Sequence, residues 1–234
     1  MIREADLQTY LYLNNTQYII YVTDNKTNEK IYSEKLAIEE NSTEFKFRKM
    51  DEFLDSNILK IEKKLNSFIK KIYIIFETDN FFLAETSIKH KIIDKNSNNN
   101  QIKESLIDIR NQFIKYSPED ETIHMLIKNF VIDGTTYQNL PKNIESKFLA
   151  IQVNFICMKK QILKRLKKIF SKYQISINKI LSYEYLKDLD NRRDQDIIKL
   201  ANDSIDGSNI NEIFILRKTS KNYGFFEKFF NFFK

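Results

Sequence analysis

Glycine, proline, cysteine and tryptophan are nearly missing from this 234-residue chain, which has three, two, one and none of them. Each scarcity closes off a class of chemistry. Gly134, Gly207 and Gly224 lie too far apart to build a phosphate-cradling loop of the GxGxxG or GxxxxGK type. Cys157 has no partner for an internal disulfide, and beside it stand only His90 and His124, too few for a zinc set or a histidine-based triad. Each histidine reads as an ordinary strand or surface residue, and no cofactor and no metal is expected. No apolar run approaches the roughly 18 residues that a spanning helix needs. Met1 to Asp6 carry acidic residues where a secretion signal needs an apolar stretch, which predicts a cytosolic chain.

What is present is ample for a folded body. Hydrophobic residues make up 42% of the chain, and its length suits one body with two lobes. The first third reads as strands: 8–23, then 30–37 after the turn at 24–28, then 44–49, where Phe45 and Phe47 alternate with charged neighbours. A helix starting at Asp55 or Ser56 follows, with Ile58, Ile61, Leu65, Phe68 and Ile69 at helical spacing. Strand character returns over 71–84, and Ile102, Leu106, Ile109, Phe113 and Ile114 mark a helix that Ser117-Pro118 ends. Two strands, 122–132 and 147–158, flank a loop containing Asp133-Gly134 and Leu140-Pro141. After the next helix come a short strand over 175–180, a polar helix over 182–206 and a last strand over 211–218. In that polar helix Asp188, Asp190, Asp194 and Asp196 alternate with Lys187, Arg192 and Arg193, the pattern of a solvated face rather than of a cation site.

The strongest helical signal lies at 159–173, where Ile162, Leu163, Leu166, Ile169 and Phe170 recur at i, i+1, i+4, i+7 and i+8. Its other face holds Lys159, Lys160, Lys164, Arg165, Lys167, Lys168 and Lys172 with no acidic residue among them, and so carries most of the net charge of +6. This is the chain's candidate nucleic-acid patch, with Tyr173 nearby to stack. The competing reading is a solvated lysine face.

Phe225, Phe226, Phe229, Phe230, Phe232 and Phe233 fall in one arc at helical spacing, with Glu227, Lys228, Asn231 and Lys234 opposite. About ten residues at ~1.5 Å rise make a rod of roughly 15 Å, half of a hydrocarbon core, so such a helix lies in a membrane interface and does not cross it. Half burial of six aromatic rings is worth perhaps 4 to 9 kcal/mol before ordering costs, which suits reversible anchoring with Lys228 and Lys234 meeting anionic headgroups. Docking on the chain's own body or in a partner's groove are the alternatives.

From Ile72 to about Leu189 the segments resemble the inserted SHS2-type lobe, called 1C, of the bacterial cell-division protein family FtsA. Ile123 to Asp133 is similar to that family's "LHVIPxxYxID" strand, and the loop from Gly134 to Leu140-Pro141 to its Gly/Pro-containing loop. Phe148 to Ile156 resembles "VHLIT", and Tyr173 to Ile180 resembles "CGLxVxxLI". The resemblance covers about half the chain, and an aromatic amphipathic tail is a further feature of the family. The departures are as informative. Against the actin-type phosphate loop "GLDIGTTKV", Tyr12 stands where the aspartate sits and Asn14 where the glycine sits, and nothing after Leu189 resembles the second actin-like half with its "DIGGGT" loop.

The resemblance implies an α+β fold: an actin/FtsA-like sheet-and-helix lobe at 1–71, an SHS2-type β-α-β-β-α-β lobe at 72–181, a returning helix and strand at 182–219, and a linker with an amphipathic helix at 220–234. It implies a non-enzymatic peripheral adaptor of the divisome on the inner face of the cell membrane. The expected partners are anionic lipids, together with a division protein or a second copy held through the SHS2-like lobe. A pilus-assembly module similar to PilM is the related alternative. Neither nucleotide nor nucleic acid is expected as a ligand.

Overall fold

The computed structural model describes residues 7–27, 29–38, 46–91, 98–141, 148–190 and 196–214. Strands β1 (Leu7–Leu13), β2 (Gln17–Asp24) and β3 (Lys30–Ala37) form an antiparallel meander; the turn at 24–28 stands as expected, whereas the single strand read over 8–23 is two, folded back on itself at residues 14–16. Helix α1 (Phe47–Leu65) then crosses to β4 (Lys71–Phe76), which pairs parallel to β1. After a long excursion the chain returns through α3 (Lys160–Lys172) to β9 (Ser176–Ser182), parallel to β4 on its other side. The sheet order is β3-β2-β1-β4-β9.

The excursion is a second antiparallel sheet of order β5-β8-β6-β7, made by β5 (Phe81–Lys91), β6 (Asp120–Ile132), β7 (Thr135–Tyr137) and β8 (Phe148–Lys159). Helix α2 (Asn98–Tyr116) covers one of its faces through Leu106, Ile109 and Phe113. Asp133 and Gly134, at φ of 49° and 83°, form the left-handed pair that turns β6 into β7. That geometry matches strand twist, and glycine adopts it at no steric cost.

The first sheet is covered on both faces. Leu11, Leu13, Ile72 and Ile74 meet α1 and α3 through Met50, Leu54, Ile61, Leu166 and Phe170. On the other face Tyr10, Tyr12, Ile75 and Leu181 meet the helices α4 (Tyr183–Leu189) and α5 (Ile197–Ile205). Ser182 caps α4 by accepting from the Tyr185 N–H, and Asp196 caps α5 by accepting from the Ile198 N–H.

The mixed α+β class and the pairing of a sheet-and-helix lobe with an inserted lobe stand as expected; the boundaries do not. A lobe beginning at Ile72 is corrected by β4, a fully central strand of the first sheet, so the inserted unit runs from β5 to β8. Helix α3 and β9 also belong to the first lobe, because β9 pairs with β4 and Leu163, Leu166 and Phe170 join the core that the first sheet shares with α1. The strand expected at 44–49 gives way at Phe47 to α1, and Asp55 and Ser56 lie exposed in mid-helix rather than capping it. The single polar helix over 182–206 is two, α4 and α5. The amphipathic segment at 220–234 lies outside the described residues.

Candidate functional site

The FtsA resemblance sets a phosphate loop at the end of the first hairpin, around Tyr12 and Asn14. Register pairing sets Tyr12 beside Ile75 and Leu13 beside Phe76, so Glu77, which follows β4, arrives next to Tyr12. The Tyr12 hydroxyl donates to Glu77 Oε2. Asn14 Nδ2 lies 3.1 Å from the same Glu77 oxygen and 3.0 Å from the Tyr12 hydroxyl. Asn14 Oδ1 accepts from the Thr16 N–H at 3.0 Å, the Thr16 hydroxyl at 3.1 Å and the Gln17 N–H at 2.7 Å, closing the turn on itself. The amide donors that an anion-binding loop offers to a phosphate are here turned onto Asn14. Burial, followed by the bond to Glu77, pushes the Tyr12 phenol well above its ordinary value, so it stays a donor at neutral pH.

A second cluster is deeper and joins the lobes. His124 on β6, Lys179 on β9, Tyr185 on α4 and Glu212 in the segment after α5 converge where the two sheets meet. His124 Nδ1 lies 2.8 Å from Glu212 Oε1, and its Nε2 accepts from the Ser182 backbone N–H at 3.1 Å. A backbone N–H can only donate, so Nε2 carries no proton and Nδ1 does. Glu212 Oε1 also accepts from Lys179 Nζ at 3.2 Å, and its Oε2 accepts from the Tyr185 hydroxyl at 2.7 Å. Asn209 Nδ2 donates to that hydroxyl at 3.1 Å. The His124 and Tyr185 rings lie 4.1 Å apart.

Burial lowers the His124 pKa against the pull of Glu212, which keeps the imidazole neutral. Burial likewise lowers Lys179 while Glu212 opposes it. For Glu212 burial pushes upward, and the hydrogen bonds and charges of its partners outweigh it, leaving the carboxyl below its ordinary value. The Glu212 carboxylate therefore has donors from three elements. The cluster ties β6, β9 and α4 to the segment after α5.

Sequence reading gave His124 no more than the place of an ordinary strand residue. It is a strand residue, but buried at the lobe junction. Its partners lie 58 and 88 residues away, so nothing next to His124 in the sequence points to them.

The basic helix is present as α3, but its cations are partly engaged. Lys159, the residue just before it, pairs with Asp120 at 2.8 Å and lies over the Phe82 ring. Lys160 Nζ donates to the Pro118 carbonyl, Arg165 stacks 4.9 Å from the Phe47 ring centre, and Lys172 pairs with Asp51. Lys164, Lys167 and Lys168 face solvent. Tyr173, read as a base-stacking ring, instead donates its hydroxyl to Asp51. Asp188 is exposed at the end of α4, and Asp196 pairs with Lys30 at 2.7 Å, so they make no cation site. Among the described residues no group of three or more His, Cys, Asp or Glu side chains is arranged to hold a metal, and no helix is long and apolar enough to cross a membrane. Phe225, Phe226, Lys228, Phe229, Phe230, Phe232, Phe233 and Lys234 lie outside the described residues.

No family model and no curated protein matches the chain. Its fold is similar to the cytoplasmic domain of EpsL, an inner membrane component of the type II secretion system of Vibrio cholerae, at 9% identity and a TM-score of 0.38, over 77% of this chain and 58% of that one. It is similar to a PilM-PilN type IV pilus biogenesis complex at 7% identity and a TM-score of 0.43, over 76% and 48%. A Bacteroides thetaiotaomicron protein with an actin-like ATPase fold and unknown function matches at 10% identity and a TM-score of 0.31, over 77% and 53%. The chain thus spans about half the length of the solved structures it matches.

Proposed function

We propose that this chain is a non-enzymatic adaptor, held peripherally on the inner face of a cell membrane and contacting other proteins of a membrane-bound assembly through its inserted lobe. The observation that carries this reading is the closed strand end. Glu77 accepts from Tyr12 and Asn14, and Asn14 gathers the turn's own amide donors, so the place where an actin-type lobe works on nucleotide is spent on holding itself together. A protein that keeps such a lobe without its chemistry is left with binding as its task.

Two further features support the adaptor reading. On the face opposite α2 the second sheet carries Lys128 paired to Glu85 at 2.7 Å and Asn129 to Gln152 at 3.2 Å across the strands, while Leu126 and Ile156 of that face pack against the first lobe. In the sequence, the phenylalanines of 225–233 recur at the spacing that an interfacial helix requires. The FtsA-like resemblance makes cell division the finer form of the proposal, with a pilus-assembly module as its alternative.

Flotation with liposomes tests the membrane half. The intact chain is expected to rise with anionic vesicles and to be released when Phe229 and Phe230 are both changed to Glu; an unchanged bound fraction would sink the aromatic anchor. Co-purification from solubilised membranes tests the partner half, because division proteins and pilus proteins are distinct sets. Recovery of neither set would remove the adaptor assignment.

A further inference from the structure

The turn from α1 into β4 presents an aromatic ring to water on a rigid base. Asn66 adopts the left-handed conformation at φ 50°, and the Ser67 N–H bonds back to the Glu62 carbonyl at 3.2 Å, which ends α1 sharply. The Ile69 N–H donates to the Glu62 carboxylate at 3.0 Å, and Ile69 itself is buried. On the far side, the Ser176 N–H and hydroxyl both bond to the Lys70 carbonyl at 3.0 Å. Phe68 sits at the apex of this pinned turn and is 76% exposed. Leu59, nearly two turns before the end of α1 and 58% exposed, shares with it a crevice of about 440 Å³ that Lys63 and Lys70 also line. A second crevice, of about 490 Å³, opens on the other side of the same ring between Leu7, Leu65 and Lys71.

Charge around the apex has one sign. Lys63, Lys70 and Lys71 line the crevices beside Phe68, while Lys64 turns to the Ile31 carbonyl and Lys60 lies with Glu34 and Glu52; the nearest carboxylate, Glu62, is committed to the Ile69 N–H. Helix α3 covers the same face of the first sheet and adds the exposed Lys164, Lys167 and Lys168. A protruding apolar ring with a lysine collar is complementary to an anionic lipid surface, where the ring enters the interface and the ammonium groups stay among the headgroups. A nucleic-acid surface pairs with the lysines but offers no apolar medium for Phe68 and Leu59.

We infer that the α1–β4 turn is a second membrane contact, with Phe68 inserting into the interface of anionic lipid. The inference deepens the membrane-adaptor reading and rests on it for the choice of lipid. It orients the body: the α1 and α3 face lies toward the bilayer, and the α4 and α5 face turns away from it.

The chain has no tryptophan, so Phe68→Trp installs a single fluorescent reporter at an exposed position where the fold does not depend on the ring. The full chain carrying it is mixed with vesicles of phosphatidylcholine alone or with phosphatidylglycerol added, and binding is followed separately by co-flotation. With anionic vesicles the emission is expected to shift to the blue and to be quenched by lipids brominated high on their acyl chains. Phe68→Glu is expected to lower the partition coefficient about tenfold, the worth of roughly half-burying one aromatic ring. Protein that floats while its emission stays unmoved overturns the turn contact and leaves the aromatic anchor standing. If instead the variant with Glu at 229 and 230 still floats and Phe68→Trp on that background still shifts, the anchor falls and the turn stands. No flotation of the unsubstituted chain removes both. A shift produced by duplex DNA at physiological salt and not by vesicles overturns the lipid assignment in favour of nucleic acid.

Discussion

His124 Nδ1 and Glu212 Oε1 are 2.8 Å apart in a place where their side chains are 0% and 2% exposed. The contact ties β6 of the inserted lobe to the segment that follows α5, and through Lys179 and Tyr185 it reaches β9 and α4 of the first lobe. Removing Glu212 leaves three donors without their shared acceptor. Glu212→Ala is therefore expected to cost about 3 to 5 kcal/mol, the range for breaking a buried charged contact. Tyr185→Phe, which removes one hydrogen bond to a charged group, is expected to cost about 1.5 to 3 kcal/mol. Urea denaturation checks both, and losses under 1 kcal/mol would mean that the lobes are held without this joint.

The same cluster sets an acid limit on stability. His124 is depressed in the folded state, so below the ordinary histidine value the unfolded chain binds the extra proton and stability falls as pH falls. Protonating Nε2 also sets its new N–H against the Ser182 N–H. Glu212, likewise depressed, adds a second loss as pH drops below the ordinary carboxylate range. Unfolding free energy measured from pH 8 down to pH 4 is expected to begin declining near pH 6.5, the unperturbed histidine value, and His124→Gln is expected to remove that first decline. A flat curve through this window would contradict a buried neutral imidazole.

On α3 the two faces are expected to behave oppositely. Leu166 is 0% exposed in the core beneath the first sheet, so Leu166→Ala is expected to cost about 2 to 5 kcal/mol through cavity formation. Changing Lys164, Lys167 and Lys168 to Glu is expected to leave thermal stability within a few degrees of the parent while cutting adhesion to any polyanion. A folding defect in the triple variant would show that these side chains do more than face solvent.

Local pattern was legible wherever one periodicity ran uninterrupted: the apolar series from Ile162 to Phe170 became α3, and β6 and β8 appeared within about two residues of their expected ends. The start of α1 was missed because Phe45 and Phe47 alternate like a strand, although Met50, Phe53, Leu54, Asn57, Ile58 and Ile61 continue a helical series backward. Lobe membership was not legible, since β4 finds its neighbours at Tyr10–Leu13 and Ser176–Ser182, about 60 and 100 residues away. The joint was hidden for the same reason: no local rule connects residue 124 with residue 212. The Tyr12 and Asn14 departures were legible, but their capture of Glu77 depends on strand register.

Cys157 offers a label-free gauge of the inserted lobe. It is 0% exposed in the core under α2, and burial pushes its thiol up to about 12. A thiol reagent at pH 8 is expected to leave the folded chain untouched and to react at the rate of lobe opening once mild denaturant is added. Reaction within seconds in native buffer would show that the second sheet opens far more easily than its packing implies.

Nucleotide binding puts the closed strand end to a direct test. Tyr12 holds Glu77, and Asn14 occupies the turn amides, so calorimetry with ATP and magnesium is expected to give no heat beyond dilution. Tyr12→Phe removes the phenol but leaves Asn14 on Glu77 and on the turn; it is expected to lower stability by about 1 to 2 kcal/mol and still to bind nothing. Tyr12→Asp sets a second carboxylate against Glu77 and is expected to destabilise the chain at neutral pH more than Tyr12→Phe does, with the excess shrinking as acid protonates the pair. A micromolar dissociation constant for ATP in the parent chain, lost on changing Thr16, would restore an actin-type nucleotide site and end the adaptor reading.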